Sequence, residues 1–152
     1  MRTYKAGHTA ALNQAINANR TGNTTLLTGA YFLEAFAQHY LTDLFAGGHT
    51  REPRRILHWT YIDGDVGLPS PYPADRCAQK QHDEENANGL WVTNAIGESW
   101  ASYGDKELFS NKSTPNFGQA VKACQAGVAE IYGAFRTGTA PSTANYAALN
   151  IV

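Results

Sequence analysis

The sequence predicts a mainly α-helical domain that also contains one long irregular loop and a small β-hairpin. Three patterns support this prediction. Apolar residues recur at helical spacing in three segments, four of the six prolines lie between residues 49 and 89, and two short apolar segments flank a turn-forming tetrapeptide. With 152 residues, of which 43% are hydrophobic, the whole chain is expected to fold as a single domain.

Two helices are predicted before residue 49. The first covers about residues 3 to 19, and the Thr-Gly-Asn run at 21 to 23 ends it. Its apolar face carries His8, Leu12, Ala15 and Ile16. The second opens at Asn23 or Thr24, whose short polar side chain can cap the free amide groups, and Gly47-Gly48 ends it. Its apolar stripe consists of Leu26, Leu27, Ala30, Leu33, Ala37, Tyr40, Leu41 and Leu44.

Residues 49 to 89 are predicted to form the long irregular loop. Asp63-Gly64-Asp65 is typical of turns, and four prolines would interrupt any long helix, namely Pro53, Pro69, Pro71 and Pro73. A loop of this length inside a compact domain usually serves a function. Its expected anchors in the core are Ile56, Leu57, Trp59 and Tyr61.

The remainder of the chain is predicted to hold the hairpin and a third long helix. Residues 90 to 93 and 99 to 103 are the expected strands, and residues 94 to 97 form the turn between them. A helix over residues 117 to 135 follows, with one apolar stripe made of Val121, Cys124, Val128, Ile131 and Phe135. A short final helix is expected from Ser142.

Charge and cysteine content restrict the classes of function. The formal net charge of -1 argues against a general binder of nucleic acids or anionic membranes, and we interpret the Arg51, Arg54 and Arg55 cluster as a solvated loop, with a local basic patch as the alternative. No apolar run approaches the roughly 20 residues that cross a bilayer. The first residues lack the apolar region of a signal peptide, so the protein is expected to be cytoplasmic or a piece of a longer chain. Cys77 and Cys124 could form a disulfide or remain two buried thiols.

A metal site is predicted around His39, Asp43 and His49. His39 and Asp43 are four residues apart on the second helix, so both side chains lie on one face. His49 follows the Gly-Gly pair, where the chain can turn back towards the same cavity, and imidazole and carboxylate groups are ligands that zinc accepts. The segment from His82 to Asn86 adds another histidine with carboxylates beside it. The alternative is a surface hydrogen bond between His39 and Asp43 in a metal-free interaction module.

The spacing His-x-x-x-Asp-x-x-x-x-x-His, from His39 through Asp43 to His49, resembles the central motif of the zinc-dependent phospholipase C and S1/P1 nuclease superfamily. The stretch from residue 34 to 51 resembles the bacterial branch that hydrolyses phosphatidylcholine, as do residues 82 to 86, Gly89-Leu90 and Tyr103-Gly104-Asp105. The resemblance covers about residues 8 to 135. It implies a helical fold of this type, two or three zinc ions and hydrolysis of phosphodiesters.

Carried over to this chain, the resemblance implies particular zinc ligands. His39 and Asp43 would bind one zinc, and Asp43 would bridge to another, whereas His49 and His82 would bind a neighbouring ion. The family places a carboxylate four residues after the later histidine, but position 86 is Asn, so Glu85, Asp83 or Glu84 is expected to replace it. His8 is the one upstream histidine, and it could be either a ligand or a core residue. Because the family's other upstream ligands are missing, we interpret the chain as lacking the family's N-terminal part.

The resemblance also implies a mechanism, a substrate and a location. Asp43 would support the metal cluster, Asp83 and Glu84 are candidate general bases, and Arg51 is a candidate phosphate ligand. A phospholipid substrate is expected first, with peripheral membrane contact, no stable nucleic-acid partner and a secreted or periplasmic location. A single-strand nuclease is the second expectation, and a catalytically incomplete zinc-binding domain is the third. The aromatic residues that could contact lipids or bases are Trp59, Tyr61, Tyr72 and Trp91.

Overall fold

The computed structural model describes residues 1–51 and 72–152, and these contain five α-helices and one two-stranded antiparallel sheet. The helices are α1 (Arg2–Thr21), α2 (Thr24–Thr42), α3 (Gly47–Thr50), α4 (Tyr72–Asn88) and α5 (Thr114–Thr137), and the strands are β1 (Leu90–Thr93) and β2 (Ser99–Ser102). Single 3-10 turns lie at Asp43–Phe45, Asp105–Glu107, Asn111–Ser113 and Ala147–Asn150. The predicted mainly helical class with a small hairpin is confirmed, since 73% of the residues in the described ranges are helical.

Helices α1, α2 and α5 pack against one another and form the body of the fold. Their ends follow local chemistry: Gly22 after α1 and Gly138 after α5 adopt positive φ, at 65° and 71°, where a side chain would be strained. The Asn23 side chain accepts a hydrogen bond from the Thr25 amide and caps α2, as predicted. The three predicted helices are therefore present, with ends within three residues of expectation except at the C-terminus of α2.

Small side chains dominate the contact between these helices. Most of the buried hydrophobic residues in the described part of the chain are alanines, including Ala11, Ala15, Ala37, Ala123 and Ala134. A Cβ placed on Gly7 would lie 2.8 Å from the Cβ of Ala37, so α1 and α2 nearly touch at this crossing. Larger side chains fill two clusters beside the contact, one around Leu41, Phe45 and Trp100 and one around Leu12, Ile131 and Tyr146.

The prediction that α2 continues to Gly47-Gly48 is wrong. The helix ends at Thr42, a 3-10 turn covers Asp43–Phe45, and the two glycines begin the separate helix α3. Neither glycine has a positive φ, so neither acts as a left-handed helix cap. Both are buried against other parts of the chain, which identifies close packing as the reason for the glycine pair.

The prediction of an irregular segment from 49 to 89 is also wrong for its second part, because α4 spans Tyr72–Asn88. Pro73 lies in the first turn of α4, where a helix needs no backbone amide donor, so the proline does not interrupt it. Gly89 follows with φ of 78°, and its amide donates to the Glu85 carbonyl. The expected loop anchors at 56, 57, 59 and 61, with Pro53, Pro69 and Pro71, lie outside the described residues.

The hairpin forms where the sequence predicts it and joins the helical body at one carbonyl group. Residue pairing runs from Leu90 opposite Ser102 to Thr93 opposite Ser99. The Ser102 hydroxyl and the Asn116 side-chain amide both donate to the Phe45 carbonyl, at 2.6 and 2.7 Å. The Trp100 indole in turn donates to the Asn116 side-chain oxygen at 2.7 Å. The end of α2, the hairpin and the start of α5 therefore meet at this buried contact.

The C-terminal part after α5 is less helical than predicted. Instead of a helix from Ser142, the chain forms only the 3-10 turn Ala147–Asn150, which packs on α5. Across the described ranges, no helix combines the length and apolar character that a membrane crossing requires.

Candidate metal centre

Close packing of α3 on α4 brings the two later histidines of the predicted site together. A Cβ on Gly48 would lie 2.7 Å from the His82 carbonyl oxygen and 2.8 Å from the His82 ring, so only glycine allows this approach. The Gly48 amide donates to the side-chain oxygen of Asn86 at 2.8 Å. Asn86 stands at the position where the family resemblance implies a carboxylate, and here its side chain ties α3 to α4.

His49 and His82 face each other across this contact. Their Nε2 atoms are 3.3 Å apart, and the ring centroids are 5.0 Å apart with an angle of 70° between the planes. Two imidazole nitrogens that share one tetrahedral zinc at about 2.0–2.1 Å would be separated by roughly 3.3–3.4 Å. The spacing of this pair therefore fits a zinc ion without rearrangement of the backbone. It also fits a hydrogen bond between two neutral imidazoles.

The surroundings of His82 orient its ring. The Asp83 carboxylate lies 3.1 Å from His82 Nδ1, an arrangement in which Nδ1–H donates to the carboxylate and Nε2 is the acceptor nitrogen of the ring. The Asn86 side-chain nitrogen lies 3.2 Å from His82 Nε2. A cavity of about 370 Å³ opens beside this group and is lined by His82, Asp83, Asn86, Ala87, Gly104, Lys106 and Glu107. We refer to it as the His82 cavity.

Glu85, the expected replacement carboxylate, has another partner in this structure. The side chain is only 6% exposed, and its Oε1 accepts hydrogen bonds from Arg51 Nε and from Gln81 Nε2. Its second oxygen, Oε2, is buried without a hydrogen-bond partner among the described residues. Arg51, the predicted phosphate ligand, is thus ion-paired to Glu85, although two thirds of the Arg51 side chain remains exposed. Glu84, the other candidate base, is exposed and lines a small cavity next to this pair.

His39 and Asp43 lie at the C-terminal end of α2. His39 is exposed and its ring meets that of Tyr40 edge to face. Asp43 is half-buried, and its carboxylate has no hydrogen bond or ion pair with any described residue. Residues 1–51 and 72–152 contain no group of three or more His, Cys, Asp or Glu side chains that could hold a metal ion. Of the predicted ligands, the described structure thus brings together His49, His82 and Asp83, and Asp83 contacts the Nδ1 edge of the His82 ring.

His8 belongs to a buried cluster that the sequence did not indicate. Its Nδ1 lies 2.5 Å from the Glu34 carboxylate and its Nε2 lies 3.0 Å from that of Glu130, and the imidazole is completely buried. Burial alone would lower the pKa of His8, but the hydrogen bonds to Glu130 and Glu34 and their charges outweigh it and raise the pKa to about 9. His8 is therefore a charged core residue here, and its predicted role as a zinc ligand gains no support.

Two tyrosines complete this buried cluster. The Tyr4 ring stacks on His8 and the Tyr146 ring meets it edge to face. Burial, followed by the charge of Glu34, raises the pKa of Tyr4 well above its ordinary value. The second oxygen of Glu34 accepts from Gln38, and that of Glu130 accepts from the Ala147 amide. The two carboxylates bind opposite edges of the His8 ring, so their oxygens do not converge on a point where an ion could sit.

The sequence assigned no role to three polar residues that line the His82 cavity, Asn86, Lys106 and Glu107. Asn86 departs from the family pattern, and its spacing of four from His82 becomes meaningful only once both lie on one helix. No local sequence pattern predicts that Lys106 lines the same cavity as His82, because this depends on how distant parts of the chain pack together. Among the predicted aromatic contacts, Trp91 lies on β1 and is 75% exposed, Tyr72 begins α4, and residues 59 and 61 lie outside the described ranges.

The structure thus brings His49 and His82 into contact, whereas Asp43 and His39 lie apart from them at the end of α2. Comparison of the chain with protein-family models, with curated proteins and with solved structures finds no match. Membership of the phospholipase C and S1/P1 nuclease superfamily therefore stays a prediction from the motif and the segments around it.

Proposed function

We propose that this protein is a zinc-dependent phosphodiesterase of the phospholipase C type, with phosphatidylcholine-type lipids as substrates. The single observation that carries the proposal is the separation of 3.3 Å between the Nε2 atoms of His49 and His82, which matches two ligands of one tetrahedral zinc. The motif from His39 to His49 adds the phosphodiesterase chemistry. The overall charge of -1 suits a zwitterionic lipid better than a nucleic acid.

In this proposal each residue has a distinct task. His49 and His82 hold the metal, and Asp83 fixes the ring of His82 through Nδ1. Zinc held there would supply an acidified water as the nucleophile and would polarise the phosphoryl oxygen. Asp43, half-buried without a described partner, is the candidate second-metal ligand, and Arg51 stands beside α3 with most of its side chain free to meet a phosphate.

Metal content and hydrolysis of defined substrates test the proposal. Purified protein is expected to retain zinc after dialysis and to release phosphocholine from phosphatidylcholine. His82→Ala should lose both properties, because one of the two placed imidazoles is removed. Lys80→Ala, an exposed residue of the same helix, is the matched control and should change neither. Zinc retained in the wild type and in His82→Ala alike would contradict the proposed centre, and activity that survives chelation would contradict the mechanism.

A catalytically incomplete zinc-binding domain is the second candidate, and two contacts favour it. Glu85 is paired with Arg51, and both nitrogens of His8 are bound by glutamates, so two predicted ligands are engaged elsewhere. Zinc stoichiometry separates the candidates: two or three ions per chain with hydrolysis favours the enzyme, whereas one ion without hydrolysis favours the binding domain. Single-stranded DNA tested in parallel with phosphatidylcholine distinguishes a nuclease from a phospholipase.

A further inference from the structure

A long apolar groove runs between α2 and α5. It has a volume of about 560 Å³, and Tyr31 and Thr42 line one side, whereas Phe117, Val128 and Tyr132 line the other. The hydroxyl of Thr42 already donates within its own helix, to the carbonyls of Gln38 and His39. Burial raises the pKa of the Cys124 thiol at the floor, so this group stays neutral. The groove therefore offers an extended surface for an apolar chain. We refer to it as the α2–α5 groove.

One turn of the chain separates this groove from the His82 cavity. Lys106 and Glu107 line the His82 cavity, and the next residue, Leu108, lines the α2–α5 groove. A molecule that reached over this turn would have its polar end beside His82 and its apolar end between α2 and α5. Phe109, which follows Leu108, is 83% exposed and packs on the groove residue Phe117 with ring centroids 5.5 Å apart.

The charges around the His82 cavity suit a zwitterion. Lys106 forms no ion pair with any described residue, so its ammonium group can meet a phosphate. Asp83 and Glu107 line the same cavity and offer carboxylates to a cationic group. Glu107 is balanced by Lys112 at 3.4 Å, and Lys112 also lies over the Tyr103 ring at 4.6 Å. Positive and negative groups thus stand side by side, as they do in a phosphocholine headgroup.

We propose that the α2–α5 groove binds one acyl chain of a phosphocholine lipid whose headgroup lies in the His82 cavity, with Lys106 as the phosphate-binding residue. This inference rests on the proposed function and deepens it, because it assigns a place to each end of the substrate.

Binding measurements on zinc-free protein test this inference independently of hydrolysis. Dodecylphosphocholine below its critical micelle concentration is titrated calorimetrically, with glycerophosphocholine as the probe that lacks an acyl chain. Ala129→Trp fills the groove from an exposed position of α5 and should weaken dodecylphosphocholine binding by about tenfold or more, equivalent to 1.4 kcal/mol, while leaving glycerophosphocholine unaffected. Lys106→Met should weaken both probes. Ala10→Trp, on the exposed side of α1, is the matched control and should change neither.

Several results would overturn the inference. Equal binding of dodecylphosphocholine by the wild type and Ala129→Trp would exclude the groove. A second groove variant, Val128→Gln, guards against misfolding of the first, and both are checked by circular dichroism. If sedimentation shows a dimer that Ala129→Trp dissociates, the groove is an interface between copies of the chain. Binding of dodecylphosphocholine that depends on the groove, in a protein that neither retains zinc nor hydrolyses lipid, would support the groove and contradict the proposed function. Failure of the groove and failure of the proposed function are therefore distinguishable.

Discussion

His49 and His82 place their Nε2 atoms 3.3 Å apart although 33 residues separate them in sequence. The contact depends on α3 and α4 lying closer together than helices with ordinary side chains allow. Gly48 allows the two helices to approach this closely because it has no side chain. The Asn86 side-chain oxygen holds them together by accepting a hydrogen bond from the Gly48 amide. The histidine geometry is therefore a product of a glycine and an asparagine that bind no metal themselves.

Gly48→Ala should push α3 away from α4. The new methyl group would meet the His82 ring at 2.8 Å and the Asn86 side-chain oxygen at 2.7 Å, so one helix must move. We expect unfolding free energy to fall by about 1–3 kcal/mol, as in other overpacked sites, and zinc content to fall with it. Urea denaturation and metal analysis measure the two effects.

Gly118→Ala is the matched control for this prediction. Gly118 lies within α5, and a Cβ there would meet no heavy atom within 4 Å. Alanine at a helical position of this kind should stabilise the protein by about 0.5–1 kcal/mol and leave zinc content unchanged. A Gly48→Ala protein as stable as Gly118→Ala would show that α3 is not held tightly against α4.

Asp43→Asn should reduce zinc content and phosphodiesterase activity while helicity stays near normal. The carboxylate is half-buried without a described partner, so loss of its charge removes the proposed metal ligand but breaks no described contact. Zinc quantification and far-ultraviolet circular dichroism measure the two properties. Unchanged metal content would exclude the bridging role implied by the family resemblance.

The His8 cluster should make stability depend on pH in the alkaline range. The pKa of His8 is about 9 in the folded protein, against an ordinary value of 6.5 for a solvated histidine, so the folded form holds its proton more tightly than the unfolded chain does. The resulting stabilisation, roughly 3 kcal/mol, is complete below pH 6.5 and is lost as pH rises through 9. Urea midpoints measured between pH 6 and 9.5 should therefore decline.

Glu130→Gln tests the origin of this decline. Glutamine can still accept from the Ala147 amide, but it removes one of the two charges that hold the His8 proton. The free energy of unfolding should then depend less steeply on pH, while Glu34, Tyr4 and Tyr146 still face the imidazole. An unchanged slope would mean that groups other than His8 govern the alkaline behaviour.

The two cysteines should differ in reactivity towards a disulfide reagent such as Ellman's. Both are free thiols; Cys77 is exposed on α4, whereas Cys124 is half-buried, and burial followed by the Glu34 charge raises its pKa. We expect one fast and one slow thiol, and Cys77→Ser should remove the fast phase. Two fast thiols would contradict the buried position of Cys124, and no reaction would indicate a disulfide.

Helical periodicity predicted α1, α2 and α5 because each has an apolar face made of residues close in sequence. It failed for α4, whose buried residues include Ala74, Ala78 and Glu85, which give no strong apolar stripe. Proline counted against a helix there, although Pro73 occupies the one turn that tolerates it. Local sequence therefore identified the large helices and missed the one that carries His82.

The candidate site was predictable in its residue types but not in its partners. The family resemblance singled out His49 and His82, whereas the pairing of Glu85 with Arg51 depends on how α3 packs on α4. Glutamate side chains usually face water, so nothing local indicates that Glu34 is buried. Glu34 lies 26 residues from His8 in sequence and Glu130 lies 122 residues from it, so only the packing of the helices brings these side chains together.

The Phe45 carbonyl, which accepts hydrogen bonds from Ser102 and Asn116, has a consequence for local motion. Ala46, which precedes α3, directly follows Phe45 in sequence. The Gly47 amide at the start of α3 donates to the Tyr103 carbonyl just past β2. Amide hydrogen exchange in β1, β2 and α3 should accordingly proceed as one cooperative opening event. A ligand held between α3 and α4 would then slow exchange in the hairpin without touching it, so the strands report on occupancy of the histidine pair.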